Sequence, residues 1–141
     1  MAVPVVAAFT LAGALAGAGG ASAAETLRST MTGKQEIPKG DLNGRGTARI
    51  TTNRARGRVC FRIRLSRVGS VSAGHIHQEV RGKVGDVVVP FFDKPTRRPQ
   101  GCTRGVKKSL IRAIERRPNR FYVNVHNKRH PGGAVRGQLR R

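Results

Sequence analysis

The chain has 141 residues, with 28 Lys and Arg against 7 Asp and Glu, and it contains two cysteines. This length allows one domain of ordinary size, and the formal net charge of +21 favours polyanionic partners. The seven acidic residues show no paired spacing, which excludes glycosidase-type chemistry. The sequence has neither a glycine-rich phosphate loop nor a serine in a nucleophile-elbow context, so we predict that the protein is not an enzyme.

The first segment in chain order, residues 1–24, has no charged side chain and consists mainly of Ala, Val, Leu and Gly. It closes on the small residues Ala21, Ser22, Ala23 and Ala24, and charge begins at Glu25. An apolar run with this ending is typical of a secretory signal peptide. We therefore predict a signal peptide over residues 1–24 and a secreted domain over residues 25–141, outside the cell or in its envelope, without a membrane span after cleavage. The alternative is an uncleaved membrane anchor, which the many Gly and Ala residues fit poorly.

Short β-prone runs follow, separated by Gly, Pro and Asn, and this pattern is typical of a small β-sandwich. The clearest run is 58–65, where apolar side chains alternate with Arg58, Arg62 and Arg64, so that one face is apolar and the other cationic. We predict strands over residues 27–31, 46–52, 58–65, 72–78, 87–92, 121–126 and 134–139, and a long loop over 93–101. The continuous apolar run at 87–92 predicts a strand that is buried on both faces.

One short helix interrupts the β pattern after the second cysteine. Its apolar residues recur at helical spacing: Val106, Leu110, Ile111 and Ile114. We predict that the helix begins at Thr103 or at residues 104–105, and that Pro118 ends it. The basic residues of the segment, which include Lys107, Lys108 and Arg112, point away from the apolar stripe.

The two cysteines, Cys60 and Cys102, are predicted to form a disulfide. An even pair in an exported protein favours this bond, and closing a loop of about 40 residues stabilises the fold by roughly 3–4 kcal/mol. A metal or redox pair would need CxxC spacing or further ligands of that type, and neither is present. Because Cys60 lies on the polar face of its strand, we expect the bridge to hold the loop around Cys102 across the outside of the sheet.

Three segments resemble the CHRD domain, which is named for chordin and also occurs in exported bacterial proteins. They are residues 31–38 (MTGKQEIP), 73–77 (AGHIH), and 121–126 (FYVNVH) followed by 131–139 (PGGAVRGQL). These are similar to the family's "TGxQEVP", "AAHIH" and "YVNVHT…PGGEIRGQL". The chain is thereby identified as a secreted, bacterial member of the family. The resemblance implies an all-β, immunoglobulin-like or superoxide-dismutase-like Greek-key β-sandwich, to which the patterns above contribute about seven strands and one short helix.

The histidines of the second and third segments form a candidate metal site. His75 and His77 are two residues apart in a strand and therefore project from the same face. If the strand that contains His126 lies beside them, three imidazoles come together, and copper and zinc both accept such ligands. The alternative is that the imidazoles bond backbone carbonyls and Asn124, and hold the strands together without a metal.

The cationic side chains form a second candidate site, for a polyanion. Its predicted residues are Arg58, Arg62, Arg64, Lys107, Lys108 and Arg112. The chain has no DNA-recognition motif and few aromatic residues, so specific DNA recognition is excluded; solvated charges without a partner are the alternative. Two hypotheses follow. One is a non-catalytic extracellular module that binds a polyanion or a protein through its basic surface, and the other is a copper or zinc protein that uses His75, His77 and His126.

Overall fold

The structure, a computed structural model, describes residues 24–141. The predicted signal peptide lies outside these residues except for Ala24. Along the described chain, no helix has both the length and the apolar character that crossing a membrane requires.

Residues 24–141 form eight strands and one α-helix. The strands are β1 (Glu25–Thr32), β2 (Arg45–Asn53), β3 (Arg58–Ser66), β4 (Ala73–Gln78), β5 (Asp86–Phe92), β6 (Gln100–Thr103), β7 (Phe121–His126) and β8 (Val135–Arg140), and the helix is α1 (Lys108–Arg116). All neighbours are antiparallel in one sheet of order β5-β4-β7-β8-β1-β2-β3-β6. The predicted all-β class with one helix is confirmed.

The sheet curls until its two end strands meet, which gives a barrel-like sandwich. The Phe61 ring of β3 stacks on the Phe91 ring of β5, with 4.3 Å between ring centroids. The Thr103 hydroxyl of β6 donates a hydrogen bond to the carbonyl of Pro90 in β5. Alternate residues of the strands fill the enclosed core, among them Leu27, Ile50, Val59, Ile76, Val123 and Leu139, each fully buried. The sheet therefore has an apolar inner face and a polar outer face.

All seven predicted strands are present, with ends that differ by no more than two residues. The additional strand is β6, which begins inside the segment that we predicted as a loop. Alternation of apolar and polar residues does not reveal it, because Gln100, Gly101 and Cys102 are all exposed at the edge of the sheet. The prediction that residues 87–92 are buried on both faces is wrong: β5 is the opposite edge strand, and Val87 is 48% exposed.

The predicted disulfide between Cys60 and Cys102 is present. The two cysteines lie directly opposite each other on the neighbouring strands β3 and β6. The bridge therefore lies on the polar outer face, as expected, but it joins two adjacent strands instead of holding a loop across the sheet. It fixes the short edge strand β6 to the sheet.

Helix α1 covers one end of the sandwich. Ile111 and Ile114 are fully buried, as the helical spacing predicts. The helix begins at Lys108, later than predicted, because Thr103 still belongs to β6 and the chain must turn through Gly105, whose φ is 68°. It ends before Pro118, as predicted.

Candidate metal centre

Strands β4 and β7 are neighbours, so the condition for a three-histidine site is met. In their register His77 lies opposite Tyr122, His75 opposite Asn124, and Ala73 opposite His126. The core-facing residues alternate with these, so all three histidines project from the outer face of the sheet. His126 is therefore the diagonal cross-strand neighbour of His75.

The three imidazoles converge on one point. The ring centroid of His75 lies 5.5 Å from that of His77 and 5.0 Å from that of His126. One nitrogen from each ring lies within 4.8 Å of the other two. An ion with metal–nitrogen bonds of about 2.0–2.1 Å holds its ligand atoms about 3.3–3.6 Å apart, so the rings need to close by about 1 Å.

Backbone carbonyls fix the orientation of two of the rings. His77 Nδ1 lies 2.8 Å from the carbonyl oxygen of Gly85, and His126 Nδ1 lies 2.8 Å from that of Pro131. A carbonyl oxygen only accepts, so Nδ1 must carry a proton in both rings, and in the neutral form of each ring Nε2 carries the lone pair. A histidine that binds a metal through one ring nitrogen usually donates the N–H of the other nitrogen in this way.

The nitrogens on the inner side of the site are buried and without a partner. His77 Nε2, His126 Nε2 and His75 Nδ1 have no hydrogen-bond partner within the described chain. Sequence reasoning offered hydrogen bonds to carbonyls as the alternative to metal ligation. The structure contains such bonds, but only on the outward nitrogens of His77 and His126, and the inward nitrogens remain available as ligands.

Burial keeps the imidazoles of His75 and His77 neutral. It lowers the pKa of His75 to about 4, with a further contribution from repulsion by His126 and His77, whereas the nearby Asn124 amide acts in the opposite direction. Burial also lowers the pKa of His77, while its hydrogen bond to Gly85 raises it. At neutral pH both rings are therefore in the deprotonated form that binds metal ions.

A buried carboxyl group lies behind the histidines. Glu36 is only 5% exposed, and burial raises the pKa of its side chain to about 7, although a hydrogen bond with Asn124 and the charge of Arg136 lower it. Its carboxyl packs against the Cα of Gly133, at a place where a side chain would collide with it. Asn124 thus lies near both the carboxyl and the imidazoles.

Tyr122 supports His77 from the side. The two rings are stacked, with 4.7 Å between centroids and 7° between planes. The Arg136 guanidinium lies 3.4 Å from the centroid of the Tyr122 ring and must occupy its other face. Arg136 is 2% exposed and donates to the carbonyl of Val80, 3.0 Å away. The stack of imidazole, phenol and guanidinium restricts the movement of the His77 ring.

Sequence reasoning identified the three histidines but missed Glu36, Tyr122 and Arg136. All three lie within the segments that carry the CHRD resemblance. For Glu36 and Arg136, the signal that could have found them is a charged residue inside one of these motifs. The three segments, far apart in the sequence, meet here: 31–38 supplies Glu36, 73–77 supplies two histidines, and the third supplies the rest. His130, in the turn, is outside the cluster, and its Nδ1 lies 3.3 Å from Asn127 Oδ1.

The structure does not bring the six predicted polyanion-binding residues together. Arg62 and Arg64 are exposed on the outer face of β3, where they line a shallow depression. Arg58 is half-buried at the start of that strand. The other three are exposed in and just before α1 and do not line the depression: Lys107, Lys108 and Arg112. Arg28 of β1 and Arg49 of β2 join Arg62 and Arg64 there, and neither was among the predicted residues.

Comparison with known proteins adds the family. Comparison with curated proteins and with solved structures finds no match. The comparison with protein families matches residues 27–139 to the CHRD domain, which covers nearly all of the described chain. The match includes every residue of the histidine site. The chain belongs to the CHRD domain family.

Proposed function

We propose that this protein is an exported, non-catalytic binding module that holds one copper or zinc ion through His75, His77 and His126. Membership of the CHRD family supports a binding module over an enzyme. The disulfide between Cys60 and Cys102 supports export, because such bonds persist in oxidising compartments outside the cytosol. The uncharged, mainly apolar run that ends at Ala24, followed by charge from Glu25, also supports export.

One observation carries the metal assignment: three imidazole nitrogens are buried without partners, while the other nitrogens of His77 and His126 are fixed by backbone carbonyls. An unpaired buried acceptor costs about 1–3 kcal/mol, so three unpartnered nitrogens in one cluster of histidines cost several. A single ion satisfies all three at once. Hydrogen bonding alone accounts for the outward nitrogens of His77 and His126 but leaves this cost unexplained.

The donor set selects the class of ion. Three neutral imidazoles suit zinc and copper, whereas calcium and magnesium require oxygen ligands. The nearest carboxyl, Glu36, packs on Gly133 behind Asn124 and does not belong to the ligand cluster. The charge of Arg136 near the site also favours an ion of low charge, which is a reason to include Cu(I) among the ions tested.

Elemental analysis of the oxidised, exported protein tests the proposal. After incubation with copper or zinc and removal of unbound metal, we expect one equivalent in the native protein and none in His77→Ala. His77→Phe keeps an aromatic ring to stack on Tyr122 and is a second variant without a ligand nitrogen, so loss of metal in a His77→Phe protein with native circular dichroism reports on the ligand and not on the fold. His130→Ala is the matched control, and it should retain the metal because His130 lies outside the cluster.

Spectroscopy locates the ion. Cu²⁺ bound to the native protein should show nitrogen hyperfine splitting in its electron paramagnetic resonance spectrum. This splitting should be lost in His77→Phe. No stoichiometric metal in the native protein would refute the proposal. Equal metal retention in His77→Phe and His130→Ala would also refute it.

A further inference from the structure

A row of arginines crosses the outer face of the sheet, well apart from the histidines. The register places Arg140 of β8 opposite Arg28 of β1, Arg28 opposite Arg49 of β2, and Arg49 opposite Arg62 of β3. All four are exposed. We call these four residues the arginine row. With strands about 4.8 Å apart, the row is about 14 Å long.

The arginine row has no acidic partner in the described part of the chain. The ion pairs there are Arg54 with Glu115 and Arg141 with Glu25, and neither includes a member of the row. Like charges directly opposite each other on adjacent strands destabilise a sheet. The arrangement therefore costs stability in the free protein, and an anion that lies across the row removes this cost.

The surface around the row is a shallow groove. The four arginines line a depression of about 410 Å³ together with Arg64, Thr30 and Thr47. The Arg140 guanidinium reaches across to β1, where its Nη2 lies 3.4 Å from Thr30 Oγ1. The register places Thr30 opposite Thr47 and Thr47 opposite Arg64, so a second row that includes two hydroxyls runs beside the arginine row.

We propose that the arginine row binds an acidic polysaccharide that lies across the four strands. Guanidinium groups bind carboxylates and sulfates in a bidentate manner, and the threonine hydroxyls beside the row offer hydrogen bonds to sugar hydroxyls along one edge of the chain. No aromatic side chain lines the groove, so bases of a single-stranded nucleic acid find nothing on which to stack. It also lacks large apolar side chains and is concave, which fits an extended chain better than a membrane surface.

This inference does not depend on the proposed metal site, because the row and the histidines share no residue. Two variants of equal charge separate a specific site from general attraction by a chain of net charge +21. Arg49→Thr with Arg62→Thr removes the centre of the row. Arg56→Thr with Arg98→Thr removes the same charge from exposed positions that do not line the groove.

The experiment is a fluorescence anisotropy titration of the disulfide-bonded protein with a labelled oligo-uronate that is long enough to cross the row, ~14 Å. We expect the row variant to bind about ten-fold more weakly than the native protein, and the control variant no more than about two-fold. Binding should weaken as salt rises from low to physiological concentration. Oligo-uronate should also bind more tightly than polyphosphate, single-stranded DNA or anionic vesicles.

Three results would overturn the proposal. Equal weakening in the two variants would mean that net charge alone attracts the polymer. Tighter binding of polyphosphate, DNA or vesicles than of the uronate would assign the row to another partner. Salt-independent binding would exclude an electrostatic contact altogether.

Discussion

The outer face of the sheet consists of two regions, one covered and largely neutral and the other exposed and cationic. Over β4 and β7 the polar side chains are covered by neighbouring segments and are largely neutral, as the lowered pKa values of His75 and His77 show. Over β1, β2 and β3 the side chains are open to solvent and fully charged. The boundary runs through β8, where Arg136 is 2% exposed and Arg140, on the same face four residues later, is exposed.

This difference shows that the loops packed over a polar sheet face determine which kind of ligand it can bind. Where loops close over it, each polar group has a fixed geometry and a defined partner, which suits a small ligand such as a metal ion. Where nothing covers it, the groups are mobile and screened by salt, which suits a long, repeating ligand. The predictions below test this distinction from the largest expected effect to the smallest.

Loss of the disulfide should weaken the region of the arginine row most, because β6 is held to β3 by this bond. The double variant Cys60→Ser with Cys102→Ser opens a loop of sequence separation 42, and the free energy of unfolding should fall by about 4 kcal/mol. Urea denaturation measures this change. Metal stoichiometry in the folded variant should be unaltered, and loss of metal would contradict the independence of the two regions.

Removing the buried carboxyl should stabilise the covered region in a pH-dependent manner. The pKa of Glu36 is raised to about 7 in the folded state, so folding favours the protonated carboxyl. The contribution of this protonated carboxyl to the free energy of unfolding is lost as pH rises from 4.5 through 7. Glu36→Gln should therefore raise the free energy of unfolding by up to about 3 kcal/mol at pH 8 and change it little at pH 4.5.

Denaturation curves across this range provide the measurement, with Glu25→Gln as the control. Glu25 is half-exposed and pairs with Arg141, so its replacement should have a small effect throughout. His75 acts in the opposite direction, because its lowered pKa makes stability fall as pH decreases from 6.5 towards 4. A Glu36→Gln effect that is equal at pH 4.5 and pH 8 would show that the carboxyl does not titrate in this range.

Relief of repulsion in the open region should give the smallest effect. Arg49→Thr removes a charge that faces Arg28 on one side and Arg62 on the other. The free energy of unfolding should rise by a few tenths of a kcal/mol at low salt, and the gain should disappear at high salt. Arg56→Thr is the comparison. A salt-independent gain in Arg49→Thr would indicate altered β propensity instead of charge relief.

Sequence patterns predicted the strands because burial of one face imposes alternation, as in residues 58–65. They missed β6, where no face is buried and Gly101 and Cys102 are both exposed. The three histidines followed from strand geometry together with an assumption about which strands are neighbours. Register was inaccessible, since it depends on long-range pairing, and the arginine row is a product of register across four strands. The burial of Glu36 and Arg136 depends on cover from distant segments.

The contact between the edge strands β5 and β6 affects whether copies of the protein associate with one another. An open sheet exposes unpaired N–H and C=O groups on its outermost strands, and another chain can add there. In this fold those strands face each other, Thr103 of β6 donates a hydrogen bond to the carbonyl of Pro90 in β5, and Pro90 has no N–H to offer. Solubility therefore does not depend on mutual repulsion alone, and we expect the protein to remain dispersed even where salt screens its charge.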